Sequence, residues 1–209
     1  MSAVFRCLQA HRYECEQFQE VLRRGRQVPV TPSSEAFLLD TNVFIEPKNT
    51  WYPFDVVPGY WDFLRMELGS KRVRSIVPVY EELQGHKDEL SEWAKELGRN
   101  RFEDCVENTA VLERYLAVAA YVRSLEGNDQ RQKRRSAIEG FLHEGVADPW
   151  LVAHASVYGE TVVTHEVSRA LRPTKVSLLD VCDHFEVRHI EVVPFLRKMS
   201  AAFELRRTA

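Results

Sequence analysis

From residue 36 onward, short apolar runs alternate with longer helical patterns, and no other feature restricts the fold of this chain as strongly. AFLLD (36–40) reads as a buried strand, GYWDFLRMEL (59–68) as a helix, VRSIV (73–77) as a second strand, and Val79 to Leu97 as one long helix. Between Arg101 and His143, the residues Val106, Leu112, Leu116, Ala119, Ala120 and Val122 share one helical register. Gly127, Asn128 and Asp129 interrupt it, so at least two helices are expected there. DPWLVAHASVYG (148–159) reads as a helix and TVVT (161–164) as a strand, while KVSLLDVCDHFEVRHIEVVPFLRKM (175–199) supplies one more strand and two short helices. Strands joined through helices rather than hairpins lie parallel. The expected class is therefore α/β, with a central parallel sheet.

The first 35 residues follow a different pattern. Phe5, Leu8, Cys15, Phe18 and Leu22 recur at near-helical spacing, Gly25 is a stop, and RQVPVTPSSE has the composition of a linker. The expected organisation is an N-terminal amphipathic helix and linker (1–35), one α/β domain (36–199) and a C-terminal tail (200–209). An apolar stripe beyond a linker is expected to pack on a partner or on a second copy. The chain has no apolar run near the ~18 residues of a membrane span and no secretory pattern at its start, so a cytoplasmic protein is expected. Cys7, Cys15, Cys105 and Cys182 lack metal or disulfide spacing and read as reduced and structural. The net charge of -3 neither supports nor excludes a nucleic-acid substrate, because it averages over local patches.

Acidic residues at strand ends carry the chemistry. Asp40 closes AFLLD, and Glu166 ends TVVTHE in the same way. Ligands of parallel sheets bind outside the carboxyl ends of the strands, so both side chains are candidates for one crevice. Asp40 alone is equally well explained as a turn or cap residue. Glu82, early in VPVYEELQG, is expected to project toward the same edge, with Glu81 as its substitute; a helix dipole accounts for either without function. Asp148 precedes Pro149 and suits an N-cap as well as a metal ligand. Together the four acids describe a pocket that repels itself unless a divalent cation is present, and hard oxygen donors of this kind suit one or two Mg²⁺ or Mn²⁺ ions.

FLLDTNVFI, VPVYEELQG, VADPWLVAHA and TVVTHE, in this order, resemble the acidic motifs of the PIN-domain superfamily. More narrowly, YPFDVVPGYWDFL and KVSLLDVCDHF resemble the DUF4411 family of bacterial PIN-like proteins, and the resemblance spans roughly 36–199. It implies a Rossmann-type α/β/α sandwich and carries over Asp40, Glu82, Asp148 and Glu166 as metal-binding and catalytic positions. It further implies a ribonuclease, in some relatives a toxin restrained by an antitoxin protein. Two departures are a Glu at 166, where many members have Asp, and a long helical insertion from Arg101 to His143; the longer side chain leaves a single ion open.

Thr41, Asn42 and Thr164 are candidates for orienting a carboxylate or a water at the metal, although Asn42 also fits turn chemistry. Arg131, Lys133, Arg134 and Arg135 form a basic run that suits phosphates or, more simply, a solvated helix face. Trp51, Tyr52, Phe54, Tyr60 and Trp61 offer one or two base-stacking surfaces within what reads mainly as core. His143, His154 and His165 lack ligand spacing; His165 adjoins Glu166 but alternation turns it to the other face. The leading expectation is a metal-dependent endoribonuclease acting on single-stranded RNA. The alternative is a PIN-like scaffold with a degraded site that holds RNA or a protein. A phosphatase of the haloacid dehalogenase type expects an acid two residues after the first Asp, where this chain has Asn42.

Overall fold

The structure is a computed structural model and describes residues 35–85, 87–127, 135–166 and 174–204. The expected N-terminal helix, Cys7, Cys15 and the basic residues Arg131, Lys133 and Arg134 lie outside these residues. The chain divides between Ser34 and Glu35, and the second unit carries everything below.

Four parallel strands form one sheet in the order β2-β1-β3-β4: β1 (Phe37–Leu39), β2 (Val73–Arg74), β3 (Thr161–Val163) and β4 (His189–Ile190). Every residue of β1 and β3 is buried, which is why FLL and TVV show no polar alternation: helices cover both faces of such strands. Phe37, Leu38 and Leu39 stand opposite Thr161, Val162 and Val163. The helices are α1 (Asn42–Asn49), α2 (Pro58–Glu67), α3 (Val77–Gly85), α4 (Glu89–Leu97), α5 (Thr109–Ser124), α6 (Arg135–Phe141), α7 (Asp148–Tyr158), α8 (Leu178–His184) and α9 (Val192–Lys198). From β1 the chain moves outward to β2, then returns past β1 to form β3 on the other side. That reversal of direction makes the carboxyl ends of β1 and β3 a topological switch point of a Rossmann-like α/β/α fold. No helix among the described residues is long and apolar enough to cross a membrane.

Most of the aromatic segment after β1 is core. Tyr60 and Trp61 are buried, Phe54 stacks on Trp61 at 3.9 Å and Tyr52 on Tyr60 at 4.7 Å. The polar tips find partners, with Tyr60 Oη donating to Val43 O at 2.7 Å and Trp61 Nε1 to Tyr52 O at 2.8 Å. Cys105 and Cys182 are buried free thiols.

The structure corrects four local expectations. VRSIV gives only two strand residues, because Ser75 is buried with its hydroxyl donating to Leu39 O at 2.8 Å and the helix begins at Val77. The long helix expected over Val79 to Leu97 is two helices. Lys87 has a φ of 50°, and Asp88 caps α4 by accepting from Leu90 N at 3.0 Å and Ser91 N at 3.1 Å; this N-cap signature competes with the continuous apolar period around it. Asp148 is not a cap: it is the first residue of α7, and no side-chain capping bond forms at that end. The chain after residue 199 is not a free tail at its start, since Phe203 packs on Tyr52 and Tyr60, both at 6.1 Å.

Asp88→Ala is expected to cost about 1 kcal/mol, the worth of an N-cap, which is a drop of about 2 to 4 °C in the melting temperature at this size. A melt unchanged or raised by the substitution would mean that the capping bonds of Asp88 add nothing to stability.

Candidate metal centre at the switch point

Asp40 is the residue immediately after β1, and its backbone prolongs the sheet by donating from N to Val163 O at 3.0 Å. Its side chain is buried, with a relative exposure of 1%. Oδ2 accepts from Thr164 Oγ1 at 2.7 Å and from Asn42 Nδ2 at 3.1 Å, so the ends of β1 and β3 are tied through the carboxylate. Burial pushes the Asp40 carboxyl up to about 6; the Thr164 hydroxyl pulls it down, and the charge of Glu82 pushes it up again.

Glu82 reaches the same place from α3. Its Oε2 accepts from Thr41 Oγ1 and its Oε1 from Ala147 N at 2.9 Å, at the start of α7. Glu82 therefore supplies the acceptor that the first turn of α7 lacks from its own side chains. Asp148 follows at once in α7. Among the described residues no donor is bonded to its carboxylate, and its pKa stands well above the usual carboxylate range because of burial first and then the charges of Asp40, Glu166 and Glu82. Asp40, Thr41, Asn42, Glu82 and Asp148, with Ile45 and Val146, line one open pocket of about 360 Å³.

The fourth acid is engaged differently. Glu166 lies beyond the end of β3, and its backbone N donates to Thr164 Oγ1 at 3.1 Å. Oε1 accepts from the Lys175 ammonium, and Oε2 from Leu178 N at 3.0 Å and Ser177 Oγ at 3.3 Å. Glu166 does not line the pocket, although its charge acts on both Asp40 and Asp148. Among the described residues no three His, Cys, Asp or Glu side chains already converge on one point as preformed ligands.

Residues 37–203 match the model of a family described as a domain of unknown function, DUF4411. The chain belongs to that family. No match was found among curated proteins or solved structures. The DUF4411 match ends at Phe203, the residue that docks on Tyr52 and Tyr60.

The remaining candidates of this DUF4411 chain are scattered. Glu81 is exposed and pairs with Arg99 at 3.9 Å, so it does not replace Glu82. Arg135 pairs with Glu139 along the exposed face of its own helix at 3.2 Å, the arrangement of a solvated charge run. His165 touches Trp51 edge-on at 4.8 Å, and Trp51 is 59% exposed. His154 has a role that spacing did not reveal. It is buried, with Nδ1 at 2.7 Å from Glu160 and Nε2 at 3.1 Å from Glu103, while Arg74 bridges the same two glutamates at 3.2 and 3.3 Å. Burial opposes a charged imidazole there, yet the two glutamates outweigh it and raise the pKa of His154. Glu103 comes from the loop before α5 and Arg74 from β2, so only tertiary structure assembles the group. Lys175 and Ser177 were also missed; their signal was faint, a cation and a hydroxyl just before a helix.

The raised Asp40 pKa has a stability consequence in metal-free protein. Unfolded Asp40 ionises near its ordinary 3.8, whereas folded Asp40 keeps its proton until about 6. Between those values the unfolded state holds fewer protons, so stability falls as pH rises from 4, and the whole penalty is present above 6. Asp40→Asn removes that titration while keeping an oxygen for Thr164 and Asn42. In EDTA the variant is expected to gain on the parent by on the order of 2 to 3 kcal/mol between pH 4 and pH 7. Melting curves that stay parallel across that range would show that Asp40 carries no charge penalty.

Proposed function

We propose that this protein is a PIN-like, metal-dependent endoribonuclease. The observation that carries the reading is the convergence of Asp40, Glu82 and Asp148, from three separate elements, on one pocket at the switch point of a parallel sheet. The order of the acidic motifs along the chain supports the PIN-like assignment, and with it RNA as the substrate.

The donor set fits a hard divalent cation. Its ligating atoms are all carboxylate oxygens, and among the described residues no thiol or imidazole lines the pocket and no donor is bonded to Asp148. Asp40, Glu82 and Asp148 are the residues to hold Mg²⁺ or Mn²⁺. Such an ion, when bound, lowers the pKa of a water and offsets the charge that gathers on a phosphodiester during in-line displacement.

The chain's own contribution is to fix the ligands before the ion arrives. Thr164 and Asn42 hold Asp40 through one oxygen, Oδ2, and leave Oδ1 without a bond to either residue. Thr41 and Ala147 N hold Glu82 with one bond at each oxygen, which orients the carboxylate and leaves each oxygen a second lone pair to offer a cation. Burial and the neighbouring acids raise the pKa of Asp148, so a cation held there would compete with its proton. Ion binding is therefore weaker at acid pH and strengthens as pH rises.

Purified protein incubated with unstructured RNA is expected to cleave it in Mn²⁺ and not in EDTA. Asp40→Asn and Asp148→Asn are each expected to lower the rate by at least two orders of magnitude, because each removes a charged ligand at nearly constant volume. Cleavage that persists in EDTA, or that neither variant reduces, would exclude this site as the source of activity. Mn²⁺ binding without cleavage would favour the alternative in which the protein holds RNA or a protein partner.

A further inference from the structure

We infer that Lys175 is a built-in cation of the carboxylate site, standing in for a second divalent ion, so that the site takes one ion rather than two. The inference rests on the reading that Asp40, Glu82 and Asp148 hold a metal.

Of the four acids at the carboxyl edge of the sheet, three line the pocket and Glu166 does not. The reason is visible in its bonds. Glu166 Oε1 receives the Lys175 ammonium, and Oε2 receives Leu178 N at 3.0 Å and Ser177 Oγ at 3.3 Å. A Glu at this position has the length to reach the first turn of α8, and once there Oε2 accepts two bonds and Oε1 faces the ammonium. A second ion within ligand distance of Glu166, about 2.1 Å for Mg²⁺, would first have to displace an ammonium that carries the same sign of charge.

Lys175 pairs with Glu166 and offsets its charge at the edge of the carboxylate cluster. Its side chain is 63% exposed, so it reaches the cluster from solvent without the cost of burying a charge. Its position on the chain is apt, two residues before Ser177 and three before Leu178: the same short segment delivers all three donors to Glu166. Lys175 acts through Glu166 and is therefore a positioning residue. It fixes the number of exchangeable ions because a lysine, unlike a metal ion, does not exchange with the medium.

Calorimetric titration of the full chain with Mn²⁺ tests this, with thermal melts as a control for folding. One ion per chain is expected for the parent and for Lys175→Arg, which keeps the charge. Two are expected for Lys175→Met and for Lys175→Gln, the second uncharged variant guarding against a folding defect in the first. The double variant Lys175→Met with Glu166→Gln is expected to return to one ion, because the second ion needs the freed carboxylate. Two ions in the parent, or one ion in both uncharged variants, overturns the role given to Lys175 while leaving the metal reading intact. A parent that binds no Mn²⁺ overturns the metal reading, and this inference with it.

Discussion

The hydrogen bond from Thr164 to Asp40 is the interaction on which the rest of the site depends. It joins the first residue past β3 to the first residue past β1, across the strand pair where the chain reverses its direction of winding. The backbone bond from Asp40 N to Val163 O fixes the same pair one layer below. Because β1 and β3 are buried on both faces, neither strand can slide without moving a whole row of apolar side chains out of the core. The position of the carboxylate is therefore inherited from the packing of the sheet, and every other acid of the site is placed relative to it.

Two of those acids are positioned by helix starts. Glu82 accepts from Ala147 N at the beginning of α7, and Glu166 accepts from Leu178 N at the beginning of α8. Helix N-termini leave backbone donors without partners, and carboxylates satisfy them. The arrangement ties acids that repel one another to positive ends of peptide dipoles, which offsets part of the repulsion that a buried cluster generates. Asp148 lacks this compensation, since it stands inside the first turn of α7 with no donor among the described residues. The unevenness separates a held set of acids from a free one: Asp40, Glu82 and Glu166 are oriented, and Asp148 is left to respond.

This division explains what the sequence disclosed and what it concealed. The strand ends were legible because full burial erases polar alternation, so FLL followed by Asp40 and TVV followed by Thr164 announce where the apolar core stops. The parallel sheet followed from the helices between the strands. Asn42 and Thr164 were legible as neighbours of acids, but their shared acceptor, Oδ2 of Asp40, was not, because the bond to Thr164 spans 124 residues. The break between α3 and α4 was obscured by apolar residues that keep a helical period across it, although Gly85 and Asp88 were there to be read. Glu166 reads as the end of a strand, but β3 stops at Val163 and Glu166 stands three residues beyond it; nothing in TVVTHE says that Lys175, Ser177 and Leu178 will meet it.

The group around the buried His154 and Glu160 shows the same physics with the opposite outcome. Two glutamates, Glu103 and Glu160, face His154 and Arg74, and the four stand within 3.3 Å of one another in pairs. Charge is balanced there by residues of the fold itself, at the amino end of β3 and the far turns of α7. At the other end of the same strand and helix, Asp40, Glu82 and Asp148 meet with no such balance, and the two of them that are most enclosed hold their protons more tightly than ordinary carboxyls do. The fold sets Arg74 and His154 against Glu160 and Glu103 at one end of α7, whereas at the other end no lysine or arginine among the described residues lines the pocket of acids. Unpaired buried charge lowers stability, and the raised pKa values of Asp40 and Asp148 lessen that cost by keeping protons on these carboxyls to higher pH.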